Sequence, residues 1–375
     1  MDELTQSLCH GKQVDVVLMD FSKAFDVVPH KRLSNKLHYY GIRENTSRWI
    51  DDFLKDRTQY VVIDGEASST APVTSGVPQV SVLSPKLFLV FINDMPESVQ
   101  SKSRLFADDS IIYRKVKCQD DCQELQEDLV ALESWEQKWG MSFNPSKCHI
   151  IHVSRKRNPV KTKYHLKGSE LVAVESATYL GVEISNNLSW HNHINKVTAK
   201  GNRTLGFIKQ NIATANPKIK EMAYNSLVRP TLEYSSLVWS PHQQCSINKL
   251  EMVQRRAARY VLRSYNNQAS VTEMLRSMKW ETLEQRRQKA KAVMTYRIVN
   301  GLVMIPNTQF IPAPTNTRGH NLKFHQIKAR TDYHRSSFFP SSISLWNSLP
   351  PATVSAKHLT VSKAVSGTYV FNWTN

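Results

Sequence analysis

The sequence predicts a mixed α+β fold: a strand-bearing front, a mostly helical middle and a loop-rich end. Three observations predict it. Apolar, β-branched runs of strand length stand in the front part, as in Val-Asp-Val-Val-Leu-Met at 14–19. Apolar residues at spacings of three and four recur over 125–139 and 247–261. From about Gly301 the chain is rich in Pro, Asn, Thr and Ser. A length of 375 residues allows two or three domains and a core that needs no disulfide staple.

The elements follow in order. Residues 14–19 read as a buried strand ending at Asp20. Residues 33–40, after Pro29, look helical, and 60–64 form a strand running into a turn at Gly65. Residues 85–93 are mostly apolar and of helical length. Over 104–115, apolar stretches flank Asp108-Asp109 as in a hairpin. Leu125, Leu129, Leu132, Trp135 and Trp139 mark one face of a helix over 120–139, which Gly140 should end. A basic loop is expected over 155–167 and a strand pair over 177–184. The chain turns helical beyond Trp190. In 247–263, Ile247, Leu250, Val253, Ala257 and Val261 share one face, and Lys249, Arg256, Arg259 and Arg263 the opposite one.

Charge divides the chain. Lys+Arg number 49 against Asp+Glu 32, a net +17 that favours a polyanionic partner. Residues 1–150 hold 17 basic against 22 acidic side chains, net −5; residues 151–375 hold 32 against 10, net +22. Cation binding in front and polyanion binding behind are the expectation. Five irregularly spaced cysteines, with no Cys-x-x-Cys pair, point to a reducing, intracellular setting and away from a zinc ribbon. No run of 18 apolar residues exists, so no membrane span is expected. His191-Asn-His193 lacks further ligands and reads as a surface loop; Cys118 and Cys122 read as ordinary thiols.

Asp20 and Asp108-Asp109 stand out because each ends or joins apolar strands. Carboxylates buried there unpaired would be costly. Side by side they would form a pocket for two hard divalent cations, able to clamp the oxygens of an in-line phosphoryl transfer. Asp is also common in hairpin turns, so spacing alone leaves both readings open.

Several segments stand in the order of reverse-transcriptase palm motifs. They are Asp20-Phe-Ser-Lys-Ala-Phe-Asp-Val-Val-Pro-His30, Ser75-Gly-Val-Pro-Gln79, Leu87-Phe-Leu-Val-Phe-Ile-Asn-Asp94 and Phe106-Ala-Asp-Asp109. Further pieces are Trp139-Gly-Met-Ser-Phe-Asn-Pro-Ser-Lys147, Tyr179-Leu-Gly-Val182, Leu227-Val-Arg-Pro-Thr-Leu-Glu-Tyr234, Leu250-Glu-Met-Val-Gln-Arg-Arg-Ala-Ala-Arg259, Ser337-Phe-Phe-Pro340 and Trp346-Asn-Ser-Leu-Pro350. In this order the chain resembles the non-LTR (LINE-type, jockey-like) retrotransposon reverse transcriptases.

The resemblance implies an RNA-directed DNA polymerase with a palm over 1–185, a helical thumb-like region over 186–300 and a loop-rich region over 301–375. It implies two Mg²⁺ ions, with Mn²⁺ as a substitute, held by Asp20, Asp108 and Asp109, with the Phe21 carbonyl as a further ligand. Phe25 matches the ring that excludes a 2′-hydroxyl, and Gln79 the residue that braces the incoming dNTP. Lys147 matches the lysine that protonates departing pyrophosphate. Tyr179, Leu180 and Gly181 match the segment that grips the primer, and Lys249, Arg256, Arg259 and Arg263 would lie along the phosphates of RNA template and DNA primer.

Two departures stand out. Val80 and Ser84 occupy places where the family carries glycine; a branched Cβ at 80 is the graver change. The family's fingers and endonuclease do not fit into residues 1–19, so a palm-plus-thumb fragment is expected. Polymerisation, impaired by Val80, competes with a second reading, a remnant that only binds nucleic acid. A metal-dependent nuclease is a weaker third, since it gives Phe25 and Gln79 no purpose.

Overall fold

The computed structural model describes residues 1–213, 216–266, 268–314 and 320–354, and the backbone of 360–363 and 369–372. The chain divides into two compact units, Gly11–Leu188 and Met1–His10 with Ser189–Asn375. The mixed α+β expectation holds, with a five-stranded sheet in the first unit and helices in both.

The sheet contains β1 (Gln13–Asp20), β2 (Lys102–Phe106), β3 (Asp109–Val116), β4 (His149–Val153) and β5 (Val172–Ala173), in the order β5-β4-β1-β3-β2. β1 is central and antiparallel to both neighbours; Val14 to Met19 are all buried, which is why its run is apolar on both faces. Asp15 interrupts that run at zero exposure. Its carboxylate oxygens accept from Gln13 Nε2 and Tyr164 Oη, each at 2.8 Å, so both are satisfied; His152 Nδ1 lies 3.0 Å away without hydrogen-bond geometry.

Helices α1 (His30–Tyr39), α2 (Ser84–Ile92) and α3 (Gln119–Trp139) pack their apolar stripes on the sheet. Leu33, Leu37, Phe88, Phe91, Leu125, Leu129, Leu132 and Trp135 meet Val17 and Met19 in one core. Gly140 ends α3 in the left-handed conformation, φ +70°, as the sequence anticipated. A last hairpin, β6 (Ser176–Tyr179) with β7 (Val182–Ser185), turns through Leu180 and Gly181, both at positive φ.

In the other unit α4 (His191–Asn211) packs beside α5 (Gln244–Leu262), and α6 (Leu283–Val299) beside α7 (Phe338–Asn347). The α5 apolar face is buried as expected. One expectation fails here: His191-Asn-His193 is the first turn of α4, not a loop. His193 is buried with its ring 5.0 Å from that of Trp239, an apolar cover distant in sequence. No helix among the described residues is long and apolar enough to cross a membrane.

Candidate catalytic carboxylates

The sheet register brings two of the three aspartates together. Asp20, last in β1, is the direct cross-strand partner of Asp109, first in β3. Asp108 lies in the two-residue turn between β2 and β3, which Ala107 closes at φ +52°. Like charges directly opposite on a sheet repel. Accordingly the Asp109 carboxyl is held above the usual carboxylate range, first by burial, then by the charges of Asp108 and Asp20.

Asp20 is held from the other side by the segment after α3. Phe21 and Phe143 form an antiparallel bridge, with ring centroids stacked at 4.4 Å. The bridge bonds run from Asn144 N–H to the Asp20 carbonyl and from Ser22 N–H to the Ser142 carbonyl, so they do not use the Phe21 carbonyl. Glu136 anchors the same segment by accepting from the Phe143 N–H. The short helical turn Pro145–Lys147 then delivers Lys147, whose Nζ is 3.1 Å from Asp20 Oδ2. That contact is an ion pair without hydrogen-bond geometry, and Oδ2 is otherwise a buried acceptor with no donor among the described residues. An acceptor left in this state fits a bound cation. Among the described residues, however, no three His, Cys, Asp or Glu side chains already converge on one point.

The second strip of the site is a loop-to-loop lock. Gly76 N–H donates to the Val28 carbonyl, Val77 N–H to the Phe25 carbonyl and Ser75 Oγ to the Asp26 carbonyl. His30 Nε2 donates back to the Gly76 carbonyl. A Cβ on Gly76 would stand 2.6 Å from the Asp26 carbonyl oxygen, so glycine is required at this crossing. Phe25 stacks on Phe88 at 4.6 Å, and exposed Gln79 donates to Asp26 Oδ1 at 3.2 Å. Val80 follows, exposed, at φ +61°. A β-branched residue in the left-handed region is strained, and this is the position where glycine was expected.

Tyr179, at the β6–β7 turn, feels the same acids: burial, then the Asp109 charge, raises its hydroxyl pKa. Lys249, Arg256 and Arg259 of α5, with Arg263 just past its end, lie in the other unit. Lys249 donates to Asn195, Arg256 to Asn202 and Arg263 to the Ala213 carbonyl, tying α5 to α4 and the residues that follow it. These acceptors are neutral, so the positive charge of the face is not cancelled by them. Arg259 is partly buried.

Sequence reasoning missed Lys36 and Asp94. Lys36 Nζ, buried, donates to the Phe91 carbonyl and to Asp94 Oδ1, and lies 3.7 Å from the Trp139 ring centroid. Trp135 Nε1 also donates to Asp94 at 3.0 Å. The acid in Asn93-Asp94 was a signal, but its partner in α1 gave none.

Comparison with known families decides the assignment. Residues 4–184 match the family described as reverse transcriptase (RNA-dependent DNA polymerase). Residues 4–184 are a reverse-transcriptase domain of the non-LTR retrotransposon kind. Similar proteins include the probable RNA-directed DNA polymerase from transposon BS of Drosophila melanogaster, 26% identical over 69% of this chain and 30% of that one. The RNA-directed DNA polymerases from mobile element jockey of D. melanogaster and D. funebris are 28% and 29% identical, each over 65% of this chain and 28% of the relative. The chain thus spans about a third of the length of these curated relatives. An apo telomerase structure from Candida tropicalis aligns at 10% identity over 82% of this chain and 54% of that one, with a TM-score of 0.40. The carboxylate pair, the Ser75–Gln79 lock and the Tyr179 turn all belong to the reverse-transcriptase domain.

Proposed function

We propose that the chain extends a DNA primer on an RNA template, adding nucleotides from dNTP, at a rate lowered by Val80. The observation that carries this reading is the Asp20–Asp109 cross-strand pair with Asp20 Oδ2 lacking a hydrogen-bond donor. Two like charges set opposite each other cost stability, and divalent cations would offset that cost.

Asp20, Asp109 and, from the turn, Asp108 would hold two Mg²⁺ ions, with Mn²⁺ as a substitute, and the Phe21 carbonyl would be a further ligand. When bound, the ions supply charge neutralisation at the attacking and leaving oxygens. The chain's own groups do the rest by positioning. Lys147, tethered at Asp20 yet mostly exposed, can pass a proton to the leaving pyrophosphate. The Phe25 ring, fixed by Phe88, sets a wall against a 2′-hydroxyl, and Gln79 braces the nucleotide from the locked loop. The Tyr179-Leu180-Gly181 turn supports the primer end. Lys249, Arg256, Arg259 and Arg263 grip the duplex phosphates. The matching layout is a palm over 1–185, a thumb-like region over 186–300 and a loop-rich region over 301–375.

A second reading, binding of nucleic acid without chemistry, is favoured by the strained, exposed Val80. Primer extension by the full chain with Mg²⁺ separates the two. The polymerase reading expects slow extension, about tenfold faster in Val80→Gly, equivalent to about 1.4 kcal/mol, and none in Asp108→Asn. Extension absent from both the natural chain and Val80→Gly, with nucleic-acid binding intact, would support the second reading. Extension by Asp108→Asn at the natural rate would sink the carboxylate assignment.

A further inference from the structure

The unit Met1–His10 with Ser189–Asn375 contains a cavity of about 450 Å³ that has no part in the polymerase reading. Its wall is basic and rich in hydroxyls. Lys291 of α6, His242, Arg335, Ser336, Ser341 and Ser344 line it, and no Asp or Glu does. Lys291 Nζ donates to Ser341 Oγ at 3.0 Å, and no carboxylate pairs with it among the described residues. Burial, then the charge of Arg287 one turn earlier on α6, lowers its pKa to about 8. Arg287 is itself buried, and both of its terminal nitrogens lack a hydrogen-bond acceptor among the described residues. Like charges four residues apart on a helix repel; Glu251, Glu284 and Glu233 offset part of the Arg287 charge, whereas no carboxylate acts on Lys291. Arg335 has an acid neighbour, Asp332 at 3.2 Å, but that pair is largely exposed and therefore weak.

An ammonium and a guanidinium set among hydroxyl donors, with no acid in the wall, match the chemistry of a multiply charged oxyanion. The volume lies within the usual range for small-molecule sites and leaves space for the group that carries the anion. We propose that this cavity binds a phosphate group, with Lys291 and Arg335 as its cationic contacts and Ser341 and Ser344 as hydroxyl donors. The phosphate comes from a nucleic-acid backbone or from a free phosphate compound; the chemistry is shared.

Lysine footprinting of the full chain tests this. The protein is acetylated with N-hydroxysuccinimidyl acetate, with and without inorganic phosphate at constant ionic strength, and each lysine is read by mass spectrometry. Phosphate should slow Lys291 at least about threefold at concentrations a few times the dissociation constant, leaving the exposed Lys200 and Lys279 unchanged. The exposed Arg335→Gln variant should lose that protection. An unchanged Lys291 rate, or equal slowing of all lysines, overturns the proposal, as does full protection in Arg335→Gln. A short RNA separates the sources. Protection of Lys291 by RNA without added phosphate identifies the backbone, and protection that still requires phosphate beside bound RNA identifies a free compound.

Discussion

Val80 shows in one residue how the candidate site departs from the glycine that the resemblance implies there. Its side chain is exposed and touches little, yet its backbone sits at φ +61°, where a branched Cβ costs about 1–2 kcal/mol. Glycine removes that strain but adds unfolded-state entropy of about 0.5–1 kcal/mol. Val80→Gly should therefore gain up to about 1 kcal/mol in urea unfolding; a loss would mean that the valine is not strained. Asp109 carries an opposite kind of stored cost. Its folded-state pKa is raised above 3.8, so the folded chain binds this proton more tightly than the unfolded chain does. Well below 3.8 the group is neutral in both states and contributes nothing. As pH rises past 3.8, ionisation penalises the folded state, and the penalty becomes constant once the carboxyl is fully ionised. Asp109→Asn should be the more stable protein at neutral pH without divalent cations, by about 0.2–1 kcal/mol, and should lose this advantage in acid. Equal stability across the pH range would show that the register pair is not repulsive.

At the scale of elements, the strands and helices that frame the site were legible because their periods were clean. The 14–19 run, the hairpin around Asp108-Asp109 and the 3–4 spacing of α3 each specify one local structure with few competitors. The register that sets Asp20 opposite Asp109 was not legible, since alternation alone does not say which strands become neighbours. The same holds for the Lys36–Asp94 pair and the Ser75–Gln79 lock, both long-range contacts between polar or glycine positions without a period. His193 failed for the complementary reason: its cover, Trp239, comes from another helix. Gly76→Ala, whose Cβ would collide with Asp26, should cost at least about 2 kcal/mol and free the loop, seen as faster amide exchange over 75–80. Lys36→Met should cost about 3 kcal/mol near neutral pH, because it leaves the Asp94 carboxylate without its cation. The Lys36 amine is itself lowered to about 8 by burial, so its charged form is penalised in the fold below that pH. Relative to Lys36→Met, the natural chain should gain stability as pH rises from about 8 toward 10.5.

Across the whole molecule, a net −5 over residues 1–150 precedes a net +22 over 151–375. The first stretch contains the paired carboxylates and the second the α5 cations, so in the proposed function catalysis and grip fall to different parts of the sequence. Affinity for nucleic acid should decline linearly with salt on logarithmic axes, and Arg256→Ala should reduce that slope by about 1. An unchanged slope would place the grip elsewhere. In the proposed function, Asp20 and Asp109 are set opposite each other to receive divalent cations. Thermal unfolding with and without Mg²⁺, in the natural chain and in Asp20→Asn, measures this. Mg²⁺ should raise the midpoint of the natural chain by about 1–3 °C and leave Asp20→Asn unmoved; an equal shift in both proteins, or none in either, would show that the pair does not receive the cations.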